Sequence, residues 1–151
     1  MKPLKSLAML SASLMLMVMV GAQSMRADTG SPDPVLYLKG LDYYSTRSGN
    51  FVRYEYDVLN KASYPPALFQ AAPSLPPCGN NTSSSRSWVD FFEGTTNRRL
   101  YGFCALGNPS QLSQIWFALP EGQVPPSYIY IEIVDRQTNT RYRSNLADTV
   151  M

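Results

Sequence analysis

Along residues 51–59 apolar and charged side chains change places at every step. Val52, Tyr54, Tyr56 and Val58 alternate with Arg53, Glu55 and Asp57. A period of two belongs to a β-strand with one buried and one wet face. A helix cannot use it, because a repeat of 3.6 would scatter both residue classes around the cylinder. The pattern returns at residues 128–135, where Ile129, Ile131 and Ile133 point one way and Tyr128, Tyr130 and Glu132 the other. No convincing amphipathic helix accompanies these segments. The twelve prolines, together with Gly, Asn and Ser clusters, cut the remainder into short pieces. Short strands between turn signals imply an all-β fold, an antiparallel sandwich.

About seven strands are expected. The first spans 35–44; it alternates poorly, and Gly40 marks a bulge. Ser48-Gly49-Asn50 turns it into the 51–59 strand as a hairpin. A second hairpin joins 88–93 to 99–105. If Cys104 points inward, parity sends Leu100 and Gly102 inward with it and Tyr101 and Phe103 outward. Ser110 caps a short helical turn at 111–113, and 115–119 is the next strand. The last hairpin joins 128–135 to 140–146 through a four-residue loop. That register sets Ile133 opposite Tyr142 and Glu132 opposite Arg143, a favourable cross-strand charge pair. Residues 64–87 are longer than an ordinary connection and hold Pro65, Pro66, Pro73, Pro76 and Pro77. Within them, 67–72 suit one helical turn or a short edge strand.

The chain begins with an address. Lys2 and Lys5 precede an apolar run at 7–20, and Val20-Gly21-Ala22 supplies small residues for cleavage. This is the layout of a secretory signal peptide, and the run is shorter than the ~20 residues of a spanning helix. Cleavage is expected after Ala22, with Ser24 and Ala27 as alternatives. The organisation is then a signal peptide (1–22), a flexible arm (23–34) and one β-sandwich domain (35–147). The protein is expected to be secreted or periplasmic, with no membrane insertion after cleavage. Loss of Lys2 and Lys5 reduces the 13 basic residues to 11, against 11 acidic ones. A near-neutral domain has no concentrated basic face for nucleic acid. Cys78 and Cys104 are the only cysteines. In an oxidising compartment they are expected to pair, closing a loop worth about 3 kcal/mol on the chain-entropy account.

The sequence contains no histidine, which removes Ser-His-Asp and Cys-His nucleophile systems and the usual histidine-containing zinc sites. Neither a cofactor nor a metal is expected. The Ser-rich loop at 83–87, beside Arg86, has no lysine nearby to serve as its base and no Gly-x-Ser-x-Gly elbow. Asn80 and Asn81 begin acceptor sequons, which matter only in a eukaryotic host; the signal segment is bacterial in style. Glu55 and Asp57 stand roughly 7 Å apart on one strand face, within glycosidase range, though alternating charge is also what a solvated face requires. Trp88 and Trp116 both suit core or half-core positions better than ligand platforms, although parity sets Trp116 opposite Ile115, Phe117 and Leu119 and leaves its exposure open. The outer face of the last hairpin gathers Tyr128, Tyr130, Glu132, Arg141 and Arg143, and Tyr and Arg are enriched at binding hot spots.

Two stretches, VRYEYDVLNKASYP at 52–65 and LPEGQVPPSYIYIEIVDRQTNTRY at 119–142, resemble exported bacterial immunoglobulin-like or fibronectin type III-like domains of the cell-adhesion-related kind. The resemblance implies an immunoglobulin-like sandwich acting as a binding or spacer module, and transfers no functional residue. The long Pro-rich loop and the placing of the cysteines depart from that pattern. The leading expectation is a non-catalytic module that binds a protein or glycan partner in the cell envelope, or an envelope accessory subunit. Its alternatives are an inhibitor of a hydrolase using the Cys-pinned loop 73–86, and a carboxylate-dependent glycan-acting enzyme.

Overall fold

The structure, a computed structural model, describes residues 30–78, 84–105 and 107–151. The expected signal peptide, residues 23–29 of the arm and the Asn80 and Asn81 sequons lie outside the described residues. Eight strands form two antiparallel sheets. The first has the order β1 (Leu36–Thr46), β2 (Gly49–Val58), β5 (Ile115–Pro120). The second runs β4 (Arg99–Ala105), β3 (Ser87–Glu93), β6 (Tyr128–Asp135), β7 (Thr140–Arg143), and the two-residue β8 (Ala147–Asp148) also pairs with β6. Helix among the described residues is confined to single 3-10 turns at Lys61–Ser63, Pro66–Phe69 and Pro109–Ser113. Asn108 caps the last of these, accepting from the Ser110 amide at 2.9 Å, where the sequence had suggested Ser110.

The poor alternation of β1 has a local cause. Its register against β2 slips between Leu38 and Gly40. Leu36 and Leu38 face Val58 and Tyr56, whereas one residue later in phase Leu41 and Tyr43 face Tyr54 and Val52. A bulge inserts one residue, so a strand that looks out of phase in sequence keeps a single inner face.

The core lies between the sheets. Val52, Tyr54, Tyr56, Val58, Ile115 and Phe117 meet Val89, Phe91, Ile129, Ile131 and Ile133, all buried. The Phe91 ring sits 5.6 Å from Phe117 and 6.0 Å from Tyr56. Each fully buried side chain of this size contributes roughly 1.5–3 kcal/mol. Tyr56 brings a hydroxyl into this apolar layer and donates it to the Asp148 carbonyl at 3.1 Å. Burial, then Tyr54 and Asp148 nearby, raises its phenol well above the ordinary range.

The inward parity expected for Cys104 is corrected. Phe103 pairs with core-facing Val89 and Tyr101 with Phe91, while Cys104 pairs with Trp88 and Gly102 with Asp90 on the outer face. Cys104 turns outward because its partner is there. It is bonded to Cys78 of the Pro-rich segment, Cα to Cα 6.0 Å. That segment closes on itself at its neck, where Ala71 bridges Ser85 and the Arg86 amide donates to Gln70. Both expected forms occur in turn: a helical turn at Pro66–Phe69 and a bridge at Ala71. Arg136 ties the neck to the β6–β7 turn, donating to Cys78 Sγ and the Ser85 carbonyl, each at 2.8 Å, and to the Pro76 carbonyl at 2.7 Å.

The last hairpin has the expected register, with Ile133 opposite Tyr142 and Glu132 opposite Arg143. Its return strand is broken, however. Ser144 exchanges hydrogen bonds with Ile131 through its own amide and its hydroxyl, both 2.9 Å. Asn145 then swings across to the other sheet. Its Oδ1 accepts the Leu36 amide at 2.7 Å and its Nδ2 donates to the Leu36 carbonyl at 2.9 Å.

A candidate binding cleft on the outer face of the three-stranded sheet

On β2 and β5 the residues that alternate with the core point outward, and they meet across the sheet in register. Glu55 pairs with Trp116 on one side and Gly40 on the other; Arg53 pairs with Ala118 and Asp42. Gly40 and Ala118 carry almost no side chain, so Glu55 has no bulky neighbour opposite it on β1 and Arg53 none opposite it on β5. A Cβ built on Gly40 meets nothing within 4 Å. The bulge also turns Lys39 toward this face, where it lines the same hollow as Arg53 and Glu55.

The rings form a row. Phe51 stacks on Tyr44 at 5.6 Å. The Arg53 guanidinium lies 5.0 Å from the Tyr44 ring centre and 4.8 Å from that of Trp116. Trp116 lies 6.0 Å from Tyr101 with the planes 16° apart. Tyr101 comes from β4, the edge of the other sheet, so this pair spans the open side of the molecule between β5 and β4. Tyr101 is 43% exposed.

Arg53 is held by rings more than by hydrogen bonds. Its ion pairs to Asp42 and Glu55 are both loose, at 3.7 Å, and its Nε is buried without a hydrogen-bond partner. Guanidinium–ring contacts of this kind contribute about 0.5–1 kcal/mol each where exposed, and they leave in-plane N–H groups available.

Two hollows flank Trp116. One, of about 240 Å³, is lined by Tyr101, Phe103, Gln114 and Trp116. The other, of about 300 Å³, is lined by Lys39, Arg53, Glu55, Gln114 and Trp116. An aromatic half and a charged half thus share one indole and one amide.

The residues expected on the last hairpin do come together on the outer face of the second sheet. Tyr130 is 3% exposed: its ring stacks on Phe92 at 5.0 Å and the Arg143 guanidinium covers it at 3.8 Å. Its hydroxyl donates to Asn97 Oδ1 at 3.0 Å. Glu132 is opposite Arg143 in register but pairs with the diagonal neighbour Arg141, at 2.8 Å. Tyr128 is exposed. These side chains are largely occupied with one another.

The carboxylates separate in the same way. Glu55 faces the cleft. Asp57 is engaged by Lys61 Nζ at 2.7 Å and by the Tyr37 hydroxyl at 3.3 Å. Among the described residues no group of three or more His, Cys, Asp or Glu side chains could hold a metal ion.

The sequence pointed to Glu55; Trp116 was expected in the core or half-core, and it is its parity opposite Ile115 and Phe117 that the structure follows. Lys39, Gln114, Tyr101 and Phe103 went unnoticed as site residues, since they come from other strands and a loop. The one usable signal was Trp116 itself, a large ring on the wet side of an alternating strand. Comparison with protein-family models, curated protein sequences and solved structures finds no match to this chain.

Proposed function

We propose that this chain is an exported, non-catalytic binding module of immunoglobulin-like topology whose contact surface is the cleft around Trp116. The observation that carries the reading is the cleft itself: Trp, Tyr and Arg, the residue types that dominate binding energetics, gathered beside open space rather than sealed under a second layer.

The strand order supports the topology. With β1, β2, β3, β5, β6 and β7 taken as strands A, B, C, E, F and G, the sheets contain the A-B-E and C-F-G sets of an immunoglobulin sandwich. β4 joins the C edge. Support for export comes from the signal-like first segment and from the disulfide, whose Cys78 is 3% exposed; buried disulfides belong to oxidising compartments. No helix among the described residues is long and apolar enough to cross a membrane.

A catalytic reading has less to rest on. Glycosidases need two carboxylates flanking the scissile bond. Here Asp57 is tied to Lys61, and Arg53 occupies the space between Glu55 and Asp42. The inhibitor reading draws on the anchored neck of loop 73–86, which Arg136 and the disulfide hold in place; a preorganised loop binds at lower entropic cost.

The test is retention of envelope proteins and envelope glycans on immobilised protein, residues 23–151, and on its variants. Trp116→Ala and Tyr101→Ala are each expected to weaken retention by tenfold or more, as for a hot spot worth about 2 kcal/mol. Arg143→Ala is expected to leave it unchanged. Retention that survives both ring deletions overturns the cleft reading, and its loss on deletion of 79–83 would favour the loop.

A further inference from the structure

We propose that the ligand of the Trp116 cleft is an oligosaccharide, lying across β1, β2 and β5 with one sugar ring at Trp116 and another at Tyr44. This rests on the cleft reading and narrows it to one ligand class.

The first argument is chemical. A sugar hydroxyl both donates and accepts, and the C–H-bearing face of a pyranose packs on the electron-rich face of an aromatic ring. The cleft supplies both kinds of partner at one place. Glu55 accepts, Arg53 and Lys39 donate, Gln114 does either, and all four border Trp116. Arg53 is the informative member. With ion pairs no closer than 3.7 Å, its terminal N–H groups can take hydroxyl oxygens without first breaking a tight bond. A cleft shaped for an anion would not place Asp42 and Glu55 beside the same guanidinium.

The second argument is geometric. A third hollow, of about 180 Å³, opens at the far end of the ring row, lined by Tyr43, Tyr44, Ser45, Asn50, Phe51 and Glu121. It repeats the makeup of the charged hollow beside Trp116, aromatic surface next to an amide and a carboxylate, with Asn50 Nδ2 here donating to Glu121 at 3.0 Å. The Arg53 guanidinium carbon is 5.0 Å from the Tyr44 ring centre and 4.8 Å from that of Trp116, so the two rings flank one guanidinium, and a short sugar chain laid along them would meet ring, Arg53 and ring in turn. Gly40 and Ala118, opposite Glu55 and Arg53, add no bulky side chain beside them.

The experiment titrates the protein, residues 23–151, with chitotetraose, cellotetraose and maltotetraose and with N-acetylglucosamine and glucose, by calorimetry and tryptophan fluorescence. At least one tetrasaccharide is expected to bind, with its monosaccharide at least tenfold weaker. Trp116→Ala should abolish the binding, Trp116→Phe should keep part of it, and Tyr44→Ala should weaken the tetrasaccharide while leaving the monosaccharide unchanged. Glu55→Gln should weaken both several-fold. Circular dichroism and the intact disulfide report on folding of each variant. If no saccharide binds and an envelope protein is retained through Trp116, the glycan assignment fails and the cleft reading stands. If neither binds, both fail. Equal affinity for mono- and tetrasaccharide overturns the two-platform geometry.

Discussion

Asn145 replaces a stretch of ladder with one side chain. Its amide takes both the N–H and the C=O of Leu36, satisfying the first residue of an edge strand that has no neighbour on that side. Asn145→Ala is expected to cost about 1–2 kcal/mol, the net worth of two such bonds, with faster hydrogen exchange at the Leu36 amide as its local mark. Gly102 has a different role. A Cβ there would strike Arg99, Asp90 and the Trp88 indole nitrogen, which are joined by hydrogen bonds from Trp88 Nε1 and Arg99 Nε to Asp90 Oδ1. Gly102→Ala should destabilise the domain by about 1–3 kcal/mol in urea denaturation. Asp135 sets the acid behaviour. Burial favours its protonated form, but the bidentate bond from Arg86, the Gln137 amide and Thr138 outweigh burial and hold the carboxyl below its ordinary range. A carboxyl depressed by folding stabilises the protein above about pH 4, its unfolded value, and that contribution is lost as pH falls through the lower folded value. Asp135→Asn should flatten this acid limb and cost about 2 kcal/mol at neutral pH, less than a fully buried pair because Arg86 is still partly exposed.

At the scale of elements, most strands were legible because each carries its own alternation. β2, β3, β4 and β6 lie within a residue or two of where the pattern set them. What failed to show was what depends on a distant partner. The outward turn of Cys104 answers to Cys78, 26 residues away, so taking the cysteine as core inverted Gly102 and Phe103, while Leu100, beyond the register shift of β3 and β4, packs against the core as expected. The break between β7 and β8 answers to Ile131 and Leu36, and nothing in Ser144-Asn145-Leu146 announces it. The β1 bulge was signalled by Gly40, and its effect can be tested by deletion. Removing Lys39 takes out the inserted residue, so that Leu38, Gly40 and Leu41 alternate regularly against Tyr56, Glu55 and Tyr54. The expected result is a fold that still unfolds cooperatively, with a midpoint within a few degrees of the parent, and a cleft that has lost its lysine. Cys104→Ser should lower stability by about 2–4 kcal/mol and release the loop neck to proteolysis, while the sheets persist by circular dichroism.

At the scale of the molecule, the candidate cleft was the least legible feature. Its side chains come from residues 39, 53–55, 101–103 and 114–116, and only the folding of one sheet edge against another brings Tyr101 to Trp116. Read strand by strand, Arg53 and Glu55 are an ordinary solvated face. The last hairpin looked richer because its Tyr and Arg residues are neighbours in sequence, yet that nearness lets them satisfy each other. The Asn145 clamp also bears on the two ends of the domain. It places the start of β1 within hydrogen-bond reach of the segment that leads to β8, so the domain's two ends leave from the same place. A pull applied through both ends would peel Leu36 from Asn145 one bond at a time, rather than shearing whole strands together. A domain held this way is expected to open at low force when pulled from both ends. Its ends are also close enough to be joined by a short linker and reopened at the Arg47-Ser48 turn with the fold retained.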